Sequence, residues 1–239
     1  MASSARKRFK SGGQSMATNA SSRSLITLSR ARGQAPVGRA WKRFIDICLA
    51  LAALVLLAPL LSLCALTLFV TSREAILFRH RRVGLHGQPF DCLKFRTMVG
   101  EGERTLLTWF EKHPEARAEW EATRKLRADP RVTSFGRVLR KTSVDELPQL
   151  INVLRGEMSI VGPRPVVEQE LLKYGARRGT YLACRPGITG LWQTSGRSKA
   201  SYRKRVACDS YYARHWSLAL DVRIIARTLP VVLGSDSAF

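Results

Sequence analysis

Residues 47 to 72 read ICLALAALVLLAPLLSLCALTLFVTS, and no charged side chain interrupts them. At about 1.5 Å per residue, a helix of this length reaches roughly 38 Å, more than the ~30 Å hydrocarbon core of a bilayer. Pro59 sits near the middle. Proline removes a backbone donor and its ring clashes with the preceding turn, so the sequence predicts a helix broken there. Arg39, Lys42 and Arg43 precede the run; Arg73, Arg79, Arg81 and Arg82 follow it. Positive flanks mark the cytoplasmic side of a membrane, and here both ends carry them. A re-entrant helix that enters and leaves through one face fits both observations, with Ser62 available to bond a freed carbonyl. A spanning helix merely kinked at Pro59 is the alternative.

The chain divides around this run. Residues 1–40 are rich in Ser, Ala, Gly and Arg without Asp or Glu, and read as a basic disordered tail. Residues 41–73 form the membrane segment, and residues 74–239 a cytoplasmic domain. A secretory signal is not expected, because the apolar run starts too far from the N-terminus and is too long. The 40 Lys and Arg against 18 Asp and Glu give a net charge of +22. That balance calls for an anionic partner: nucleic acid, anionic membrane lipid or a phosphorylated substrate. The five cysteines are odd in number and form no Cys-x-x-Cys pair, which speaks against a disulfide framework and against structural zinc. The four histidines show no metal-ligand spacing.

The fold class expected is mainly α with a small β element. Gly87-Gln88-Pro89 is a turn, and Phe90, Cys92 and Leu93 behind it suggest a short strand or hairpin. Residues 101–127 have a charged helical pattern interrupted at Pro114, and Asp129-Pro130 opens a loop. Ser143 with Glu146 three residues on reads as a capping box for a helix over 143–155, and Gly156 is its stop. Residues 158–161 look extended, and 166–174 helical. Tyr202 to Thr228 is helical again, with Tyr211, Tyr212 and Trp216 among arginines. That mixture suits an amphipathic helix at a membrane interface, or equally an ordinary core helix.

Two adjacent carboxylates, Asp145 and Glu146, stand out in so basic a chain. The plain reading is electrostatic: acids in a first helical turn complement the dipole. The chemical reading assigns a nucleophile and a metal ligand. A carboxylate can attack phosphorus and split one displacement into two. A second carboxylate can hold Mg²⁺, which takes oxygen ligands and neutralises a diphosphate. Successive helical residues point about 100° apart, so one acid per role is the natural division. Arg164, held between Pro163 and Pro165, is preorganised to bind phosphate oxygens. Lys94 and Arg96 on the expected strand, Arg140 before the acid pair and Arg185 in the Arg185-Pro186-Gly187 turn are further phosphate candidates. No P-loop, Gly-x-Gly-x-x-Gly, Gly-x-Ser-x-Gly or His-Glu-x-x-His pattern is present, which removes the commonest nucleotide-binding and hydrolase readings.

With these residues in view, the chain resembles the small monotopic polyprenyl-phosphate phosphoglycosyl transferases of the bacterial sugar transferase family. The likeness runs from Lys42-Arg43-Phe44-Ile45-Asp46 nearly to the C-terminus. Its markers are Lys94-Phe95-Arg96-Thr97-Met98, Asp129-Pro130-Arg131-Val132-Thr133, Leu139 to Gln149 around the acid pair, Gly156 to Pro165, and Arg185 to Trp192. It is nearest to the exopolysaccharide undecaprenyl-phosphate galactosyl-phosphate transferases. The resemblance implies transfer of a sugar 1-phosphate from a UDP-sugar to undecaprenyl phosphate with release of UMP, galactose before glucose. It implies Asp145 as nucleophile, Glu146 as Mg²⁺ ligand, and a membrane helix broken at Pro59. Many members carry Ser before that proline, where this chain has Ala58, so Ser62 or water must satisfy the freed backbone. The implied setting is the cytoplasmic face of the bacterial inner membrane, beside anionic lipids and downstream glycosyltransferases. No nucleic acid is expected, and a homodimer is allowed but not required. Larger relatives carry extra spanning helices upstream, so this chain is expected to be a minimal catalytic version. The rival readings are a membrane-tethered basic protein binding nucleic acid or anionic lipid, and a non-catalytic scaffold of polysaccharide export.

Overall fold

A computed structural model describes residues 35–72, 74–123, 126, 128–195 and 201–233. Most of the expected basic tail, residues 1–34, lies outside the described residues. The remainder of that stretch is anchored: Val37 donates to the Ala183 carbonyl at 3.1 Å, and the first helix begins at Arg39.

Helix α1 (Arg39–Thr71) contains Pro59 and continues past it to Thr71, so the break expected at this proline does not end the helix. Lys42 reaches Asp221 at 2.7 Å near its start, and Asp46 accepts from Ser159 Oγ at 2.8 Å and from the Ile160 amide at 3.0 Å. Further along, Ala50, Ala53 and Leu54 pack with Phe90, Leu150, Val153 and Met158. Beyond Pro59, Leu61, Cys64, Ala65 and Leu68 pack with Phe95, Phe135 and Leu139. Both halves of α1 therefore rest on the same domain. The rest of its surface is apolar and open, with Val55, Leu56, Leu63, Leu66, Phe69 and Val70 all exposed. A contiguous apolar surface of this kind is uncommon on proteins that live in water.

Strands β1 (Leu77–Val83) and β2 (Pro89–Phe95) form an antiparallel hairpin whose register pairs Phe78 with Lys94, His80 with Cys92 and Arg82 with Phe90. Its turn uses two left-handed residues, His86 and Gly87. Helices α2 (Gly102–Lys112) and α3 (Pro114–Thr123) follow, divided where Pro114 was expected to interrupt. Helix α4 (Ser134–Lys141) is capped by Thr133, whose Oγ1 accepts from the Gly136 amide at 2.9 Å.

The capping box expected at Ser143 does not form. Ser143 is left-handed (φ 57°) and its side chain caps nothing; a 3₁₀ turn, Val144–Glu146, follows, and helix α5 (Gln149–Leu154) starts only after Pro148. Part of the reason is local. Proline lacks an N–H and is tolerated at a helix start, so Pro148 opens α5 rather than sitting inside it.

Strands β3 (Ser159–Val161) and β4 (Gly187–Thr189) pair in parallel, so the Arg185–Gly190 loop carries a short strand. Between them lie α6 (Glu168–Leu172) and α7 (Arg178–Leu182). The pattern from Tyr202 resolves into two helices, α8 (Tyr202–Arg214) and α9 (Leu218–Leu233). Tyr212 and Trp216 turn inward: Tyr212 Oη lies 2.7 Å from Asp221 Oδ1, and Trp216 Nε1 donates to Oδ2 at 3.0 Å. Tyr212 is a core residue and Trp216 is half-buried against the same cluster, whereas Tyr211 is exposed.

Candidate active site

The site is assembled by β2 and the chain that crosses it. Asn152 on α5 is fully buried. Its Oδ1 accepts from the Leu93 amide at 3.0 Å, and its Nδ2 donates to the Asp91 carbonyl at 2.8 Å and to Glu157 at 2.6 Å. This amide locks α5 to β2 in one register. On the other side, Gly136 lets α4 close on the segment after β2, since a Cβ there would stand 2.2 Å from the Thr97 carbonyl oxygen. Arg140 then donates from Nε to Thr97 Oγ1 at 2.8 Å. The 3₁₀ turn between α4 and α5 is thereby laid across β2, with Asp145 and Glu146 on it.

Lys94 Nζ lies 2.5 Å from Glu146 Oε1. Burial would raise the Glu146 carboxyl, but Lys94, then Arg164 and Arg82, outweigh it and hold it below the usual range. Its side chain is 34% exposed, so a ligand can still reach it. Asp145 is buried and is in no ion pair among the described residues. Burial pushes it up to about 6, with Lys94 and Arg140 pulling down and Glu146 adding to the rise. The two acids therefore differ in kind. One is clamped, ionised and partly open; the other is buried, unclamped and close to neutrality in its titration.

The sequence-derived phosphate residues divide. Lys94, Arg140 and Arg164 all act on the acid pair. Arg96 turns away, bonding Glu74 at 2.6 Å and the Ala75 carbonyl at 2.8 Å. Arg185 is also not part of this group: its Nε donates to the Gly156 carbonyl at 2.9 Å, while Arg43 holds the Val153 and Leu154 carbonyls. Together these two arginines bond carbonyls at and just beyond the C-terminal end of α5, where positive charge is favoured.

Arg164 is aimed by its neighbours. A Cβ on Gly187 would stand 2.1 Å from the Gly162 nitrogen, so the two strand ends meet backbone to backbone and fix the Pro163-Arg164-Pro165 turn. Sequence reasoning missed Arg82. It sits two positions from His80 on a face that the β1–β2 register shares with Cys92 and Lys94. Period-two alternation along Leu77–Val83 would have found it had so arginine-rich a segment been read as a strand. Cys92 on this face is pushed up to about 11 by burial, so it is a neutral packing thiol.

Two carboxylates do not make a closed metal site, and no cluster of three or more His, Cys, Asp or Glu is found among the described residues. The pair still fits Mg²⁺, which is commonly held by one or two carboxylates together with substrate phosphates.

The comparisons with known proteins converge. The sequence profile described as bacterial sugar transferase matches residues 37–235. The chain belongs to the bacterial sugar transferase family. This sugar transferase is 50% identical over 204 residues to the exopolysaccharide production protein ExoY of Sinorhizobium fredii, covering 85% of this chain and 90% of that relative. It is 46% identical over 198 residues to the undecaprenyl-phosphate galactose phosphotransferase of Salmonella typhimurium, covering 83% of this chain and 41% of that longer protein. It is 42% identical over 207 residues to the UDP-glucose:undecaprenyl-phosphate glucose-1-phosphate transferase of Caulobacter vibrioides, covering 83% of this chain and 72% of that protein. The sugar transferase is thus an enzyme, of the class that transfers phosphorus-containing groups.

Proposed function

We propose that this transferase moves a hexose 1-phosphate from a UDP-sugar to undecaprenyl phosphate, releasing UMP and starting an exopolysaccharide repeat unit. The observation that carries the mechanism is the asymmetry of the acid pair. Asp145 Oδ attacks the sugar-bearing phosphorus, the bond to the UMP oxygen breaks, and an Asp145–phosphosugar remains. An oxygen of the lipid phosphate then attacks the same phosphorus, the acyl-phosphate bond breaks, and the Asp145 carboxylate is restored. One site used in turn by donor and acceptor is ping-pong catalysis.

Arg164, Arg140 and Lys94 supply fixed positive charge where negative charge builds on the transferring group. Glu146, ionised and partly exposed, would hold Mg²⁺. A bound Mg²⁺ supplies charge neutralisation for the donor diphosphate. Galactose is favoured over glucose as the sugar. The names of the Sinorhizobium and Salmonella relatives support exopolysaccharide synthesis and galactose, and that of the Caulobacter relative supports glucose.

The setting follows from α1. Its two halves are held by one domain while its open face is apolar. A perpendicular span would carry the polar domain into the bilayer, so we read α1 as dipping into one leaflet and returning. The domain then lies on the cytoplasmic face of the inner membrane, among anionic lipids, and hands its product to downstream glycosyltransferases. Purified protein given undecaprenyl phosphate, Mg²⁺ and a panel of UDP-sugars tests the reading. UMP release fastest with UDP-galactose is expected; no release with any sugar contradicts it.

A further inference from the structure

Arg205, on the first turns of α8, is only 8% exposed. Its Nε and Nη2 are buried without a hydrogen-bond partner among the described residues, and so is Nε1 of Trp192. Buried donors are almost always satisfied, so three together mark a place where an acceptor is wanting. The nearby acids do not fill them. Asp209 accepts from Tyr174 Oη at 2.7 Å, and Glu170 lies 4.0 Å from Arg205 Nη1, within ion-pair range but beyond a hydrogen bond.

The group is also locked in place. The Arg205 guanidinium lies 5.1 Å from the Trp192 ring and 5.2 Å from the Tyr202 ring. Cation–π contact fixes the plane of the fork without using its N–H edges. Two links tie it to the acid pair. The Arg164 guanidinium lies 5.7 Å from the same Trp192 ring, and Arg82 lies 3.9 Å from the same Glu170 carboxylate. Arg164 and Arg82 are the arginines that act on Glu146. Two side chains therefore stand between Arg205 and Glu146 along each route.

We infer that Arg205 and Trp192 form a phosphate subsite beside the acid pair, distinct from the groups that act directly on Asp145. The unpartnered atoms of Arg205 and Trp192 are all donors, which favours an acceptor-rich anion, and the planar guanidinium fork suits phosphate oxygens. The subsite rests on the transferase reading for its role: it holds a phosphate of one of the two phosphorylated substrates. UDP-sugar and polyprenyl phosphate both offer one.

The test uses the full-length protein in nanodiscs. Inorganic phosphate is titrated calorimetrically into the wild type and into Arg205→Met, Arg205→Lys, Trp192→Phe and, as an exposed control on the same helix, Arg203→Met. Arg205→Met and Arg205→Lys are expected to weaken phosphate about tenfold or more, Trp192→Phe a few-fold, and Arg203→Met not at all. Michaelis constants for UDP-sugar and for undecaprenyl phosphate are then measured in full turnover, each varied with the other held fixed. A tenfold rise confined to UDP-sugar assigns the subsite to the donor; a rise confined to the lipid assigns it to the acceptor. Should Arg205→Lys keep the wild-type melting temperature, phosphate affinity and both Michaelis constants, the subsite is overturned. A wild type that binds phosphate through Arg205 yet releases no UMP would refute the transferase reading alone.

Discussion

Lys94 Nζ lies 2.5 Å from Glu146 Oε1, so the β2 ammonium is committed to the second acid of the pair and only its field reaches the first. That division makes the pair chemically unequal. A carboxylate already tied to a lysine is a poor nucleophile but a steady ligand, whereas Asp145 is in no ion pair among the described residues.

The pH dependence follows with a definite sign. Asp145 must be ionised to attack, and burial lifts it to about 6. UMP release should therefore fall as pH drops through about 6. Lys94 pulls Asp145 downward, so Lys94→Met should move this acidic limb to higher pH. One unit of movement lowers the rate about tenfold in the acidic range. A pH–rate profile of UMP release checks it; an unmoved limb in Lys94→Met would refute the coupling.

Arg164 and Arg185 should behave oppositely. Arg164 is exposed and acts on Glu146. Arg164→Met should raise the Michaelis constant for UDP-sugar about tenfold, the scale of a lost charge-assisted hydrogen bond, with little loss of stability. Arg185 holds the Gly156 carbonyl. Arg185→Met should lower the melting temperature and leave that Michaelis constant unchanged.

Asn152→Leu should destabilise the domain by roughly 2 to 4 kcal/mol, because it strands the buried Leu93 amide and the part-buried Asp91 carbonyl of β2. Denaturant titration in detergent measures it. A loss below about 1 kcal/mol would mean that β2 holds its register without this side chain.

The path of α1 can be read by thiol labelling. Ala40→Cys and Ser72→Cys, each in a background without the native cysteines, should react with a membrane-impermeant reagent from the cytoplasmic side only. Reaction of Ser72→Cys from the opposite side would restore the spanning helix.

Much of this was legible in the residues, for identifiable reasons. The α1 run, the hairpin turn at Gly87 and the division at Pro114 are written in strong local chemistry: uniform apolarity, a left-handed glycine, a missing N–H. The acid pair and Arg164 stand out in the sequence because Asp-Glu is scarce in a basic chain and because two prolines bracket the arginine. What the residues did not announce was mostly non-local. Ser143 and Glu146 have the spacing of a capping box, but Lys94 from a distant strand captures Glu146 and Pro148 delays the helix. The fold sets Arg185 against the Gly156 carbonyl, which comes from far along the chain. Arg82 and Arg205 were invisible because their importance lies in neighbours far along the chain.

The central claim is a covalent phosphosugar on Asp145. The most direct measurement is intact-protein mass spectrometry after mixing the enzyme with UDP-galactose and Mg²⁺ in the absence of lipid acceptor. The wild type should gain the mass of one hexose phosphate in step with UMP release, lose it when undecaprenyl phosphate is added, and show neither event in Asp145→Asn. An adduct that persists in Asp145→Asn, or UMP release there at a near wild-type rate, would contradict the account.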